Sequence, residues 1–125
     1  MTYLEKISKQ GYYIIAEIGV NYYEISEKEH LSLLDAAKMM ITAAAENGAD
    51  AVKFQWVYAD EILHPDTGFV TLPGGKVRLY DRFKELEVSP QFFYECRKYA
   101  KDNGIQFICS PFGLRSLAEL IQIEP

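Results

Sequence analysis

The first patterned stretch is Tyr12-Tyr13-Ile14-Ile15-Ala16-Glu17-Ile18-Gly19, a short apolar run closed by glycine. Such a run predicts a strand over 12–19 buried on both faces, as in a parallel sheet. The spacing then changes. Leu33, Leu34, Ala37, Met40, Ile41, Ala44 and Ala45 recur at helical intervals and make one apolar stripe. Ser26-Glu27-Lys28-Glu29 has the spacing of a capping box ahead of it, and Asn47-Gly48 supplies a left-handed end. A helix is expected over about 27–47. Ala51-Val52-Lys53-Phe54-Gln55-Trp56 follows at once as a second strand, which completes a βαβ unit with a right-handed crossover.

Residues 58–77 break the rhythm. They carry Pro65, Gly68, Pro73, Gly74 and Gly75 with no clean period, and read as a long loop after a strand. Loops of that length in compact domains are usually functional or disordered. Leu79, Phe83 and Leu86 predict a helix over 78–87. Ser89-Pro90 opens another, continued by Phe93, Cys96, Arg97 and Ala100 and ended by Asn103-Gly104. Ile105-Gln106-Phe107-Ile108-Cys109 is a third strand, Ser110-Pro111-Phe112-Gly113 a turn, and Leu114 to Ile121 a last short helix before Glu124-Pro125. The order β-α-β-α-α-β-α points to a parallel sheet in an α/β protein.

Composition supports a globular chain. Of 125 residues 49% are hydrophobic and 25% charged, enough for a real core and unlike disorder or coiled coil. The net charge of −5, with no basic cluster, argues against a nucleic-acid partner. No apolar run reaches the roughly 18–20 residues of a membrane span. The charged start, Met1 to Gln10, does not read as a signal peptide. Cys96 and Cys109 are too few for a disulfide framework and read as reduced, buried thiols in a cytoplasmic protein.

The candidate chemistry gathers where the strands end. Glu17 lies near the end of strand one, Ser110 follows strand three, and Lys53 and Gln55 point to one face of strand two, opposite Val52 and Phe54. Ligands of parallel α/β folds bind at the carboxyl ends of strands. Glu17 and Lys53 read as a buried ion pair, as an anion site with Lys53 as the cation, or as both, since Glu17 would hold Lys53 charged until ligand binds. Gln55 is either a core amide or a donor, and Ser110 either a helix cap or a donor. His30 reads as a surface residue, and Asp60, Glu61, His64 and Asp66 match no metal-ligand spacing. Gly74-Gly75-Lys76 resembles a phosphate loop only superficially, because the full pattern is missing. Tyr12, Tyr13, Tyr22 and Tyr23 read as packing and rim residues, and Cys109 has no recognisable histidine partner.

Three segments taken together resemble the sialic acid synthase family. Tyr13-Ile14-Ile15-Ala16-Glu17-Ile18-Gly19-Val20-Asn21 is similar to its opening strand and loop. Asn47-Gly48-Ala49-Asp50-Ala51-Val52-Lys53-Phe54-Gln55 is similar to its second strand. Gly104 to Phe112 is similar to its third, where a hydroxyl residue precedes Pro-Phe. The likeness runs from about residue 12 to 122.

The resemblance implies a fold: α/β, the first three βα units of a (β/α)8 TIM barrel with parallel strands, the barrel being incomplete in this chain. It implies one partial synthase domain over 1–125, with a long βα loop at about 58–77 and without the family's antifreeze-like domain. It also implies condensation of phosphoenolpyruvate with an N-acetylated hexosamine to a 2-keto-3-deoxy nonulosonic acid. Glu17 and Lys53 would be catalytic, and Asn21, Lys53, Gln55 and Ser110 would bind substrate. The family needs a divalent metal, manganese or magnesium, whose histidine ligands match neither His30 nor His64 and lie beyond this chain. The chain alone is therefore expected to be inactive, and to self-associate or be completed by another chain.

Three departures stand out. Tyr22-Tyr23 replaces the family's His-Asn-Gly after Asn21, Trp56-Val57-Tyr58 removes a basic residue after Gln55, and Val77-Arg78-Leu79 replaces Glu-Ser-Gln. Two other readings stay open: a non-catalytic part-barrel module, and an unrelated flavodoxin-like domain, which would want five strands where three are found.

Overall fold

The computed structural model describes residues 2–123; Glu124-Pro125 lies outside them. The sheet has three strands in the order β1-β2-β5. β1 is Ile15–Gly19, β2 Ala51–Trp56 and β5 Gln106–Pro111. β1 runs parallel to β2 with Ile15 opposite Ala51 and Glu17 opposite Lys53, and the register shifts between Glu17 and Gly19. The helices are α1 Tyr3–Gln10, α2 Tyr22–Glu29, α3 Leu33–Glu46, α4 Ala59–Ile62, α5 Leu79–Glu85, α6 Pro90–Asp102 and α7 Leu114–Ile123. A separate antiparallel hairpin joins β3 Phe69–Leu72 to β4 Gly75–Arg78.

The chain divides into two compact units, one of Met1–Phe54 with Glu95–Ile108, the other of Gln55–Tyr94 with Cys109–Pro125. In the first, Phe54 is fully buried, and its ring centroid lies 6.0 Å from Tyr22 and 5.5 Å from Phe107. Ala36, Ala37 and Ile41 bury the inner face of α3. In the second, Trp56 stacks on Phe93 at 4.3 Å, and Phe93 meets Phe92 edge to face at 5.3 Å. Tyr22 and Trp56, two of the departures noted in the sequence, are thus core residues.

Several expectations hold. β2 forms over 51–56, and Gly48 takes φ +91 at the end of α3 while Ala49 N–H donates to Ala44 O at 3.1 Å. Ser89 caps α6 by accepting from Phe92 N–H at 3.3 Å. Cys96 and Cys109 are buried and form no disulfide, and burial pushes the Cys96 thiol up to about 12.

Others are corrected. The helix expected over about 27–47 is two helices. His30 turns left-handed at φ 55, and Ser32 is the working cap, accepting from Asp35 N–H at 3.0 Å. Ser26 sits inside α2 and donates to Leu31 O at 2.6 Å, so the apparent capping box is not used. The strand expected over 12–19 starts at Ile15 and is not buried throughout: Ile14, just before it, and Ile15 are 49% and 45% exposed, whereas Ile18 is buried. The loop at 58–77 contains α4 and the β3–β4 hairpin, and Gly74-Gly75-Lys76 lies at its turn rather than between a strand and a helix. Ser110 and Pro111 belong to β5, not to a turn. α1 was not foreseen; none of its residues is buried, and Thr2 and Glu5 form a capping box at its start.

Asp50, just before β2, gathers the start of the first unit. It accepts from Ile14 N–H at 2.7 Å, from Gln10 Nε2 at 3.2 Å and from Lys6 Nζ at 3.4 Å. The Ile14 amide above all, with Gln10 and Lys6, holds its carboxyl below the usual range against the opposing effect of desolvation. A lowered folded-state pKa gives stability that is present above the unfolded value, near 3.9, and lost as pH falls through the folded one. Asp50→Asn should therefore be less stable than wild type near neutrality, the gap closing below about pH 4. Urea unfolding followed from pH 3 to 7 checks this; equal stabilities at pH 7 would refute it.

Candidate functional site

Parallel pairing of β1 with β2 sets Glu17 beside Lys53. β2 alternates: Val52, Phe54 and Trp56 are buried, while Lys53 and Gln55 are half-buried on the other face. Lys53 Nζ stands 3.7 Å from Glu17 Oε2. The side chains are 38% and 50% exposed, which corrects the picture of a buried pair. A solvated pair of this kind is worth about 0–1 kcal/mol, too little to explain a lysine and a glutamate on facing strands by stability. It leaves the Lys53 side chain positioned beside Glu17 and partly open to solvent.

The remaining expected residues are placed as follows. Gln55 is two residues further along β2, and Ser110 lies half-buried in β5. The end of β5 is tied to β2 by Phe112 N–H donating to Trp56 O at 3.2 Å. Asn21 begins α2, but its side chain makes no capping hydrogen bond, so its exposed carboxamide is not spent on the helix. β1 and β2 bring Glu17 and Lys53 together directly.

The acidic loop residues have structural partners. Asp60 bonds Tyr80 and pairs with Lys84 at 3.2 Å, and these two bonds hold its carboxyl low while raising the Tyr80 hydroxyl and the Lys84 ammonium. His64 Nδ1 accepts from Asp66 N–H at 3.1 Å. Among the described residues no group of three His, Cys, Asp or Glu side chains is placed to hold a metal ion. No described helix is long and apolar enough to cross a membrane.

Sequence reasoning missed two clusters. Arg115 lays its guanidinium 3.9 Å from the Tyr58 ring centroid and pairs with Glu119 at 3.2 Å, while Tyr58 donates its hydroxyl to Glu119. Glu61 bonds the start of α7. Both pairings span more than 50 residues and leave no local signal.

A parallel sheet with helices between its strands, and a lysine–glutamate pair on adjacent strands, defines an α/β protein. Residues 40–125 match the NeuB family, and the chain belongs to that family. It is 34% identical over 97 residues to a spore coat polysaccharide biosynthesis protein of Bacillus subtilis, covering 77% of this chain and 24% of that protein. It is 34% identical over 116 residues to the N,N'-diacetyllegionaminic acid synthase of Legionella pneumophila, covering 89% and 30%. A pseudaminic acid synthase of Campylobacter jejuni is 28% identical over 117 residues, covering 90% and 32%. Among solved structures, the N-acetylneuraminic acid synthetase of Leptospira borgpetersenii, in complex with citrate, superposes with a TM-score of 0.68 at 25% identity. That likeness covers 90% of this chain and 33% of the other. The chain spans about a quarter to a third of the length of these relatives.

Because the Glu17–Lys53 pair is solvated, Glu17→Ala and Lys53→Ala should each shift folding stability by no more than about 1 kcal/mol. Denaturant midpoints measure this; losses near 3 kcal/mol or more, the scale of a broken buried pair, would restore the structural reading.

Proposed function

We propose that this chain forms the first three βα units of a (β/α)8 nonulosonic acid synthase barrel and carries part of its phosphoenolpyruvate site. In this reading residues 1–125 are one partial barrel domain, set in the cytoplasm, where buried Cys96 and Cys109 stay reduced. The observation that carries the proposal is Lys53: a cation on the half-open face of the central strand, 3.7 Å from Glu17 and available to a ligand. Phosphoenolpyruvate carries a phosphate and a carboxylate. Lys53 would neutralise that charge and orient the enol, while Gln55 and Ser110 donate hydrogen bonds to its oxygens. Glu17 would keep Lys53 in place before binding, and then hold a substrate hydroxyl or assist proton transfer. Exposed Asn21 would face the acceptor, an N-acetylated hexosamine. The product would be a 2-keto-3-deoxy nonulosonic acid, with phosphate released.

The divalent metal of such a reaction, manganese or magnesium, would polarise the acceptor carbonyl. The described residues do not fit it: His30 is an exposed helix end and His64 is bonded to its own loop. Turnover is proposed to need the remaining units. Calorimetry of the chain with phosphoenolpyruvate tests the site. Binding is expected, weakened at least about tenfold in Lys53→Ala; equal affinity in wild type and variant, or no heat with either, overturns the reading.

A second reading, a part-barrel that works by assembly, is favoured by one observation. Leu114, Leu117 and Ile121 form an apolar stripe along α7 and are 85%, 42% and 60% exposed. Such a stripe, together with sheet-edge strands β1 and β5, favours self-association or completion by another chain. Light scattering should show species larger than a monomer, shifting to monomer in Leu117→Glu. A cooperatively folding monomer at all concentrations would argue against it.

A further inference from the structure

The Phe112-Gly113 turn after β5 leads into α7, whose start is held by a carboxylate from more than 50 residues earlier in the chain. Glu61 Oε1 accepts from Arg115 N–H at 2.5 Å and from Ser116 N–H at 3.4 Å. Its Oε2 accepts from the Ser116 hydroxyl at 2.9 Å, and that hydroxyl accepts from Gly113 N–H at 3.0 Å. These are amides that a helix start leaves without intrahelical partners. Ser116 is fully buried, so its hydroxyl is shielded from water. Gly113 makes the approach possible, because a Cβ there would overlap the Glu61 carboxyl group.

The arm that delivers Glu61 is itself fixed. Ala59 N–H donates to Glu87 Oε1 at 2.9 Å, and Asp60 is held by Lys84 and Tyr80. On the opposite flank of the turn, Phe112 N–H donates to Trp56 O at 3.2 Å. Phe112-Gly113 thus lies between a hydrogen bond to β2 and the Glu61 contacts at the start of α7. A simple helix cap would not need a carboxylate from so far along the chain, a glycine cut to fit it, and a separately braced arm.

We propose that Glu61 is a positioning residue: by seating its carboxylate on the start of α7 it fixes the Phe112-Gly113 turn at the end of β5, and with it the place of the Ser110 hydroxyl. The consequence for ligand rests on the reading of Ser110 as a phosphoenolpyruvate donor; the effect on the turn does not.

Amide hydrogen exchange on the chain and its variants separates the two. In Glu61→Ala, exchange at Arg115, Ser116 and also Phe112 should rise at least about tenfold, with buried Val52 unchanged as the reference for global opening. Glu61→Gln, whose side-chain oxygen still accepts, should restore most of that protection. Gly113→Ala should act like Glu61→Ala, and the double variant should exchange no faster than either single one, because both remove one contact. Should Gly113→Ala not fold, the Glu61→Ala and Glu61→Gln pair still decides. Unchanged exchange, or a rise confined to Arg115 and Ser116 with Phe112 unmoved, overturns the proposal and leaves Glu61 a mere cap. Calorimetry adds the functional arm. Phosphoenolpyruvate affinity should drop about tenfold in Glu61→Ala and recover in Glu61→Gln. Wild-type affinity in a Glu61→Ala chain with a loosened turn refutes the link to ligand. Absence of binding in wild type refutes the phosphoenolpyruvate reading alone, since the exchange result stands without it.

Discussion

A central strand with a neighbour on each edge has its backbone groups satisfied, and only its two faces remain to be decided. β2 decides them oppositely. Val52, Phe54 and Trp56 go into the cores, and Lys53 and Gln55 stay half open. Everything else about the candidate site follows from that alternation. A slip of one residue would bury Lys53 and expose Phe54, so the apolar face enforces the register that puts Glu17 next to Lys53. The chemistry is therefore positioned by hydrophobic burial on the opposite face of the same strand, and the ion pair contributes little to holding it.

The stretch after β2 shows how much polar structure supports so few candidate residues. Tyr58, Asp60 and Glu61 each engage a different side chain or helix start, and Lys84, Tyr80, Arg115 and Glu119 complete the set. Asp60 goes to an ammonium and a phenol, and Glu61 to a helix terminus.

Much of this was legible in the sequence, and the reasons differ by element. β2 was read to the residue, because Ala51–Trp56 combines an apolar run with a glycine cap before it. The likeness carried by Glu17, Lys53, Gln55 and Ser110 led to the right family, since the three motifs occur in order at fixed separations. The break at His30 was missed because Ser26 begins a plausible capping box, whereas it is the side chain of Ser32 that caps α3 by accepting from Asp35 N–H. The β3–β4 hairpin was missed because its strands are four residues each and half solvated, so they carry no strong alternation.

The sequence by itself determined the α/β class, the position of the central strand and the side of it on which the charges lie. These depend on local periodicity and on side-chain alternation, which are properties of neighbouring residues. The tertiary structure alone decided that the Glu17–Lys53 pair is solvated, that Asp50 gathers the start of the chain, and that Glu61 closes on α7 beside Gly113. Each of those depends on atoms brought together across tens of residues. Exposure and hydrogen-bond geometry between such distant groups have no counterpart in local pattern.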